Sequence, residues 1–203
     1  VAERRPSGKL SLPTADGVLS SSAEVAERRP SGKLSLPTAD GVIQSMPHEQ
    51  VQWWYYTGFL RTNDTSASST PDYGFEICTF LVENDMQMVQ VAITDVKGQT
   101  FTFKENIEVK HPSIMDNSFE FSSPIGSISG GDGKDSLEID NAPFKLKLDL
   151  QSIKPAAIHY GGEKHSYDFG GYTYYYSRTK MNGSGSLTAA DGSTLSVREY
   201  VNM

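Results

Sequence analysis

Residues 143–152 read PFKLKLDLQS. Phe144, Leu146, Leu148 and Leu150 fall on one side of an extended chain; Lys145, Lys147 and Asp149 fall on the other. Successive side chains of a strand point to opposite faces, so this alternation specifies a half-buried antiparallel strand. Strand-forming segments continue on both sides of this stretch. Upstream, VQWWYYTGFLR (51–61), YGFEICTFLV (73–82) and MQMVQVAITDV (86–96) are aromatic or β-branched and favour strands. Lys97-Gly98 closes a hairpin into QTFTFKENI, and FEF (119–121) and SLEID flank a turn at GGDGKD (130–135). Downstream, GYTYYYSRTK (171–180) reads as a strand, and GSLTA and STLSVREY form a hairpin across Ala190-Asp191-Gly192. About ten strands, a turn signal roughly every ten residues and no amphipathic helix predict an all-β, antiparallel barrel of about 8–10 strands, or a strongly bent sheet. A two-sheet sandwich is the alternative.

Composition narrows the function. The 203 residues hold 18 Lys+Arg against 25 Asp+Glu, and one cysteine, Cys78. The acidic balance opposes binding to a phosphate backbone, so no nucleic-acid partner is expected. A single cysteine excludes an internal disulfide and a cysteine-based zinc site. No apolar run approaches the roughly 18 residues of a membrane helix, and the compartment stays open. There is no phosphate loop, dinucleotide fingerprint or nucleophile elbow. GGDGKD resembles half a calcium loop without its closing Glu. No metal or other cofactor is expected.

Residues 1–18, VAERRPSGKLSLPTADGV, recur letter for letter at 25–42. Two copies at one end do not make a solenoid. Residues 1–24 therefore read as a duplicated appendage and 25–203 as the barrel domain, with the second copy in the native position. Segments 1–42 carry 6 basic and 5 acidic residues, leaving 12 basic and 20 acidic on the body, a net of −8. An identical spare segment could exchange between two copies of the chain.

The aromatic residues are the main candidates for a site. Trp54 and Tyr56 share one face of their strand, and Tyr174 and Tyr176 share a face that Arg178 continues. Inside a barrel, such rings line an apolar cavity while offering hydroxyl and indole donors. Plain core packing would use the same residues. Glu76 sits among apolar neighbours, where a carboxylate must be paired or proton-bearing; it is a candidate general acid, or a buried partner of Arg178. His159 and His165 flank a Gly-rich connection, and His159 is the candidate base. His48 and His111 lie in polar connections.

Three stretches carry a family resemblance: LPTADGVIQSMPHEQVQWWYYTGFL, YGFEICTFLV and YYYSRTKMNGSGSLTAADGSTLSVREYVNM. Together with IHYGG (158–162), they resemble the lipocalin-like AttH and carotenoid 1,2-hydratase (hydroxyneurosporene synthase) superfamily over residues 33–203. That superfamily includes kievitone hydratase-like proteins and fungal Diels–Alderases. The resemblance implies a lipocalin-like domain that binds a hydrophobic small molecule of polyene, polyketide or terpenoid type. The alternative it implies is a hydratase, isomerase or Diels–Alderase-type cyclase. Glu usually precedes the paired Trp in these proteins; here Gln52 does, and it joins Trp54, Tyr56, Glu76, Tyr174, Tyr176 and Arg178 as the ligand-contact set. Family members continue into a second β domain, so this chain is expected to represent the first half of that pattern. A third reading, a structural domain with no pocket, would go with a solid interior.

Overall fold

β1 (Val51–Thr62), β2 (Tyr73–Val82), β3 (Met86–Asp95) and β4 (Thr100–Val109) form a meander of consecutive antiparallel strands. A second meander is built from β5 (Phe119–Ser123), β6 (Gly126–Gly131), β7 (Lys134–Asn141) and β8 (Phe144–Ser152). The last two long strands, β13 (Met181–Thr188) and β14 (Thr194–Asn202), join the two. In this computed structural model the result is one ten-stranded antiparallel sheet, in the order β4-β3-β2-β1-β14-β13-β8-β7-β6-β5, rolled into a nearly closed barrel. The structure describes residues 34, 36, 41, 51–62, 70–83, 86–110 and 117–202. The first copy of the duplicated segment, His48 and His111 lie outside them.

Between β8 and β13 the chain leaves the barrel. This excursion holds β9 (Ala157–Ile158), a short 3-10 turn (His159–Gly162), β10 (His165–Ser166), β11 (Tyr172–Thr173) and β12 (Tyr176–Ser177). β10 pairs with β11 and β12 with β9. The strand expected across 171–180 is therefore replaced by two-residue pieces. Tyr160, with φ 54°, and the glycines that follow turn the chain back on itself, so each piece of the tyrosine run pairs within the excursion rather than with the barrel. Leu34, in the second copy of the repeat, donates its N–H to the Gly162 carbonyl at 2.8 Å. A strand at Gly126–Gly131 was also unmarked in the sequence. Its small residues carry little strand propensity, and its turn is tighter than GGDGKD implies, reduced to Asp132-Gly133 with φ of 52° and 72°. Positive φ at both central positions is what a two-residue hairpin of matching twist requires.

The inward faces meet in one cluster, which includes Trp54, Tyr56, Phe75, Ile77, Phe119, Phe121, Phe144, Leu146, Leu148 and Leu187, all buried. The Trp54 ring lies 4.6 Å from Phe121 and 6.0 Å from Phe119, centre to centre. Where the barrel seam lacks a backbone ladder, side chains cross it. Gln87 Nε2 donates to the Ser122 carbonyl at 2.9 Å, and Asn141 Nδ2 to Thr102 Oγ1 at 3.0 Å. Asp72 pins one end: its carboxylate accepts from the Thr62 N–H at 2.9 Å and pairs with Lys97 at 2.9 Å. The outer face of β7 and β8 is charged, with exposed pairs Lys145–Asp140 and Lys147–Glu138 that contribute little to stability.

Candidate functional site

Strand geometry divides the sequence-derived candidates between two sides of the wall. Gln52, Trp54 and Tyr56 point inward from β1 and are buried. Glu76 points outward. Along β2, residues 73, 75, 77, 79 and 81 face the core, which leaves 74, 76, 78, 80 and 82 outside, and Glu76 is exposed. Its expected burial is thus corrected: it lies on the outer side of the alternation, beside Thr57 of β1 and Ala92 of β3. Its expected pairing with Arg178 is also corrected. Arg178 is buried beside the β6–β7 turn, its guanidinium close to Gly133 and 6.0 Å from the Tyr176 ring centre. Tyr176 packs against the core cluster, whereas Tyr174 stays in the excursion, edge-on to Tyr172 at 6.0 Å. The ligand-contact set expected from the sequence is therefore divided between the two sides of the wall. Two open depressions, of about 400 and 590 Å³, lie on β5–β6 and on β7–β8–β13, and neither touches that set.

A different constellation forms outside the barrel. Tyr55 projects from β1 and meets Tyr175 of the excursion, hydroxyl to hydroxyl, at 3.0 Å. The Tyr175 ring stacks on His159 at 4.5 Å, and His159 Nε2 shares a hydrogen bond with Ser177 Oγ at 3.1 Å. The β9–β12 pairing sets this geometry by placing Ile158 opposite Tyr176, with His159 N–H donating to the Tyr175 carbonyl. From His159 the rings continue outward: Tyr160 stacks on His165 at 4.0 Å, His165 meets Tyr167 edge-on, and Tyr167 stacks on the exposed Phe169. Glu76 and His159 are thus on the same side of the wall, with Tyr55 and Tyr175 linking the barrel to the excursion there. Tyr55, Tyr175 and Ser177 were absent from the sequence-derived set. They sit inside the quoted aromatic runs, but on the face that an interior site would not use.

On one side of this cluster the outer wall is apolar. Across β1–β4, the register aligns Trp53, Phe80, Met88 and Ile107 in one outward row, and Val51, Val82, Met86 and Val109 in the next. The adjoining row runs Tyr55, Cys78, Gln90 and Glu105. Burial and the shared hydrogen bond with Tyr55 push the Tyr175 phenol up to about 12. Burial, and next the negative charge of Glu76, push the Cys78 thiol up to about 12. Both groups hold their protons more tightly folded than unfolded. Their contribution is intact below the ordinary thiol and phenol ranges and is lost as pH climbs towards about 12. The thiolate is the nucleophile, so at pH 8 intact protein should react with Ellman's reagent at least ~100-fold more slowly than urea-unfolded protein. Equal rates would show that Cys78 is not protected by the fold.

The AttH-like family matches residues 27–199. The chain belongs to the AttH-like family. The crystal structure of a putative AttH from Nitrosomonas europaea is similar to this AttH-like chain, with a TM-score of 0.65 and 19% identity. The match covers 88% of this chain and 56% of that one, so this chain spans little more than half of its neighbour's length. At that identity the likeness speaks for the fold. No curated protein matches the chain. Among the described residues of this AttH-like domain, no group of three or more His, Cys, Asp or Glu could hold a metal ion, and no helix is long and apolar enough to cross a membrane.

Proposed function

We propose that this AttH-like domain binds a hydrophobic small molecule with a polar end, and that it does so on the outer wall of β1–β2 beneath the excursion rather than in the barrel lumen. One observation carries the reading: a hydroxyl–hydroxyl–imidazole–hydroxyl array (Tyr55, Tyr175, His159, Ser177) borders an outward apolar row, with a second apolar row beyond it. Ligand sites commonly combine apolar walls with a few converging polar groups. Trp53 and Phe80 would contact the apolar body, and Tyr175 and His159 the polar end. Trp54 and Tyr56 would support the wall from behind. A polyene, polyketide or terpenoid fits this chemistry.

The array also favours an enzymatic alternative of hydratase, isomerase or cyclase type. In a hydration, Glu76 or Tyr175 would give a proton to one alkene carbon, water would add to the other, and His159 would take the proton that water releases. A cyclisation would instead draw on the shape of the apolar wall.

The test is titration with anilinonaphthalene sulfonate. Saturable binding should weaken about tenfold or more in Tyr175→Ala, a loss on the scale of one buried aromatic contact, while Glu138→Gln on the far wall leaves it unchanged. Absence of saturation, or equal binding by Tyr175→Ala, would refute the site.

A further inference from the structure

β4 is anomalous within this barrel. It spans ten residues, Thr100–Val109, TFTFKENIEV, with no proline or glycine, and pairs one-to-one with β3 without a bulge. It ends the sheet, so among the described residues no strand is ladder-paired along its outer edge, which side chains cross near its two ends, Asn141 to Thr102 and Lys110 to Ser122. No residue of β4 is buried, on either face. Its outward side chains include Phe101, Phe103, Ile107 and Val109, which are 65%, 53%, 55% and 82% exposed. The strand at the other end of the sheet, β5, contrasts with it: it has five residues, and the inward rings Phe119 and Phe121 are fully buried. A long, flat, apolar edge is a template for pairing with another strand, and soluble proteins normally blunt such edges.

From these features we infer that β4 is a homodimer interface, in which the β4 strands of two copies pair antiparallel about a two-fold axis and continue the sheet from one barrel into the next. The sequence of the strand selects the occupant. A two-fold axis perpendicular to the sheet keeps like faces together, so the axis passes through a residue and its own copy. Centred on Glu105, the register would oppose two like charges, which is unfavourable for directly facing residues. Centred on Asn106, it sets the two Asn106 amides against each other and Lys104 opposite Glu108 of the second copy, twice by symmetry. It also sets Phe103 opposite Val109. Each inward charge on β4 then gains an opposite charge, Phe103 and Val109 gain an apolar neighbour, and Ile107 faces Glu105. The outward rows of β1–β4 would run on across the junction.

Charge reversal tests this register. The full chain should sediment as a dimer. Lys104→Glu and Glu108→Lys should each be monomeric, with far-UV circular dichroism unchanged. Mixing the two single variants should restore a dimer, because the two introduced charges then face each other across the junction and are opposite in sign, as are the two native ones. The double variant K104E/E108K should dimerise alone. A monomeric wild type would overturn the inference. So would a dimer that survives both single reversals, which would point instead to association through the duplicated N-terminal segment. Neither result bears on probe binding at Tyr175.

Discussion

Gly185→Val should abolish the folded state. Gly185 lies in β13, and a Cβ built on it would overlap the Lys147 carbonyl oxygen of β8 and stand 2.9 Å from the carbonyl carbon. Those atoms are backbone within a continuous ladder, so they cannot swing aside as a flexible side chain would. β13 and β8 hold the two meanders together in the ten-stranded order. Prying them apart therefore breaks the sheet at its centre. The expected loss is upwards of about 4 kcal/mol, the range reserved for strain or disruption in a core. The neighbouring exposed Ser184→Ala should fall within about 0.5 kcal/mol of wild type. Urea unfolding followed by circular dichroism separates the outcomes. A cooperative transition near the wild-type midpoint for Gly185→Val would mean that the strands are not so close.

Trp54→Ala is the second large effect. The ring is buried among Phe119, Phe121 and the core cluster, so truncation leaves a cavity that the neighbours fill only in part. The expected cost is about 3–5 kcal/mol for a buried aromatic, or a fall in Tm of roughly 10 °C for a domain of this size. Trp53→Ala, one residue away but outward and 42% exposed, should cost about 1 kcal/mol or less. The pair bears directly on what the lumen is for. A wall that lines an empty ligand cavity would tolerate loss of Trp54 far better than a core would.

The fold was legible because period-two alternation survives wherever one side of a strand is buried. Phe144 to Leu150 face the core, and their lysine neighbours face solvent. The candidate site was only half legible, for a reason in the same physics. Alternation identifies two faces but not which one carries function, and VQWWYYTGFLR has rings on both. The inward rings Trp54 and Tyr56 pack in the core cluster, and Tyr55, on the other face, meets Tyr175. Glu76 misled because YGFEICTF surrounds it with apolar letters, whereas its own face also carries Phe80 and Cys78 beside an apolar outer wall. The tyrosine run at 172–176 failed as a strand for a third reason. Its pairing partners, His165–Ser166 and Ala157–Ile158, are short segments of the same excursion, brought opposite by the left-handed turn at Tyr160 and Gly161. Sequence periodicity carries no signal for a pairing that short. His159 was flagged by its residue type, but its partners Tyr175 and Ser177 became visible only through that pairing.

The two tryptophans provide the most direct measurement. The sequence holds no others, and they point to opposite sides of one strand. In ¹⁵N-labelled protein their indole N–H groups give two resonances, one outside the barrel and one within it. Titration with anilinonaphthalene sulfonate should shift the Trp53 resonance saturably and leave that of Trp54 in place. A shift of Trp54 with Trp53 unmoved would put the ligand in the lumen and contradict the outer-wall site.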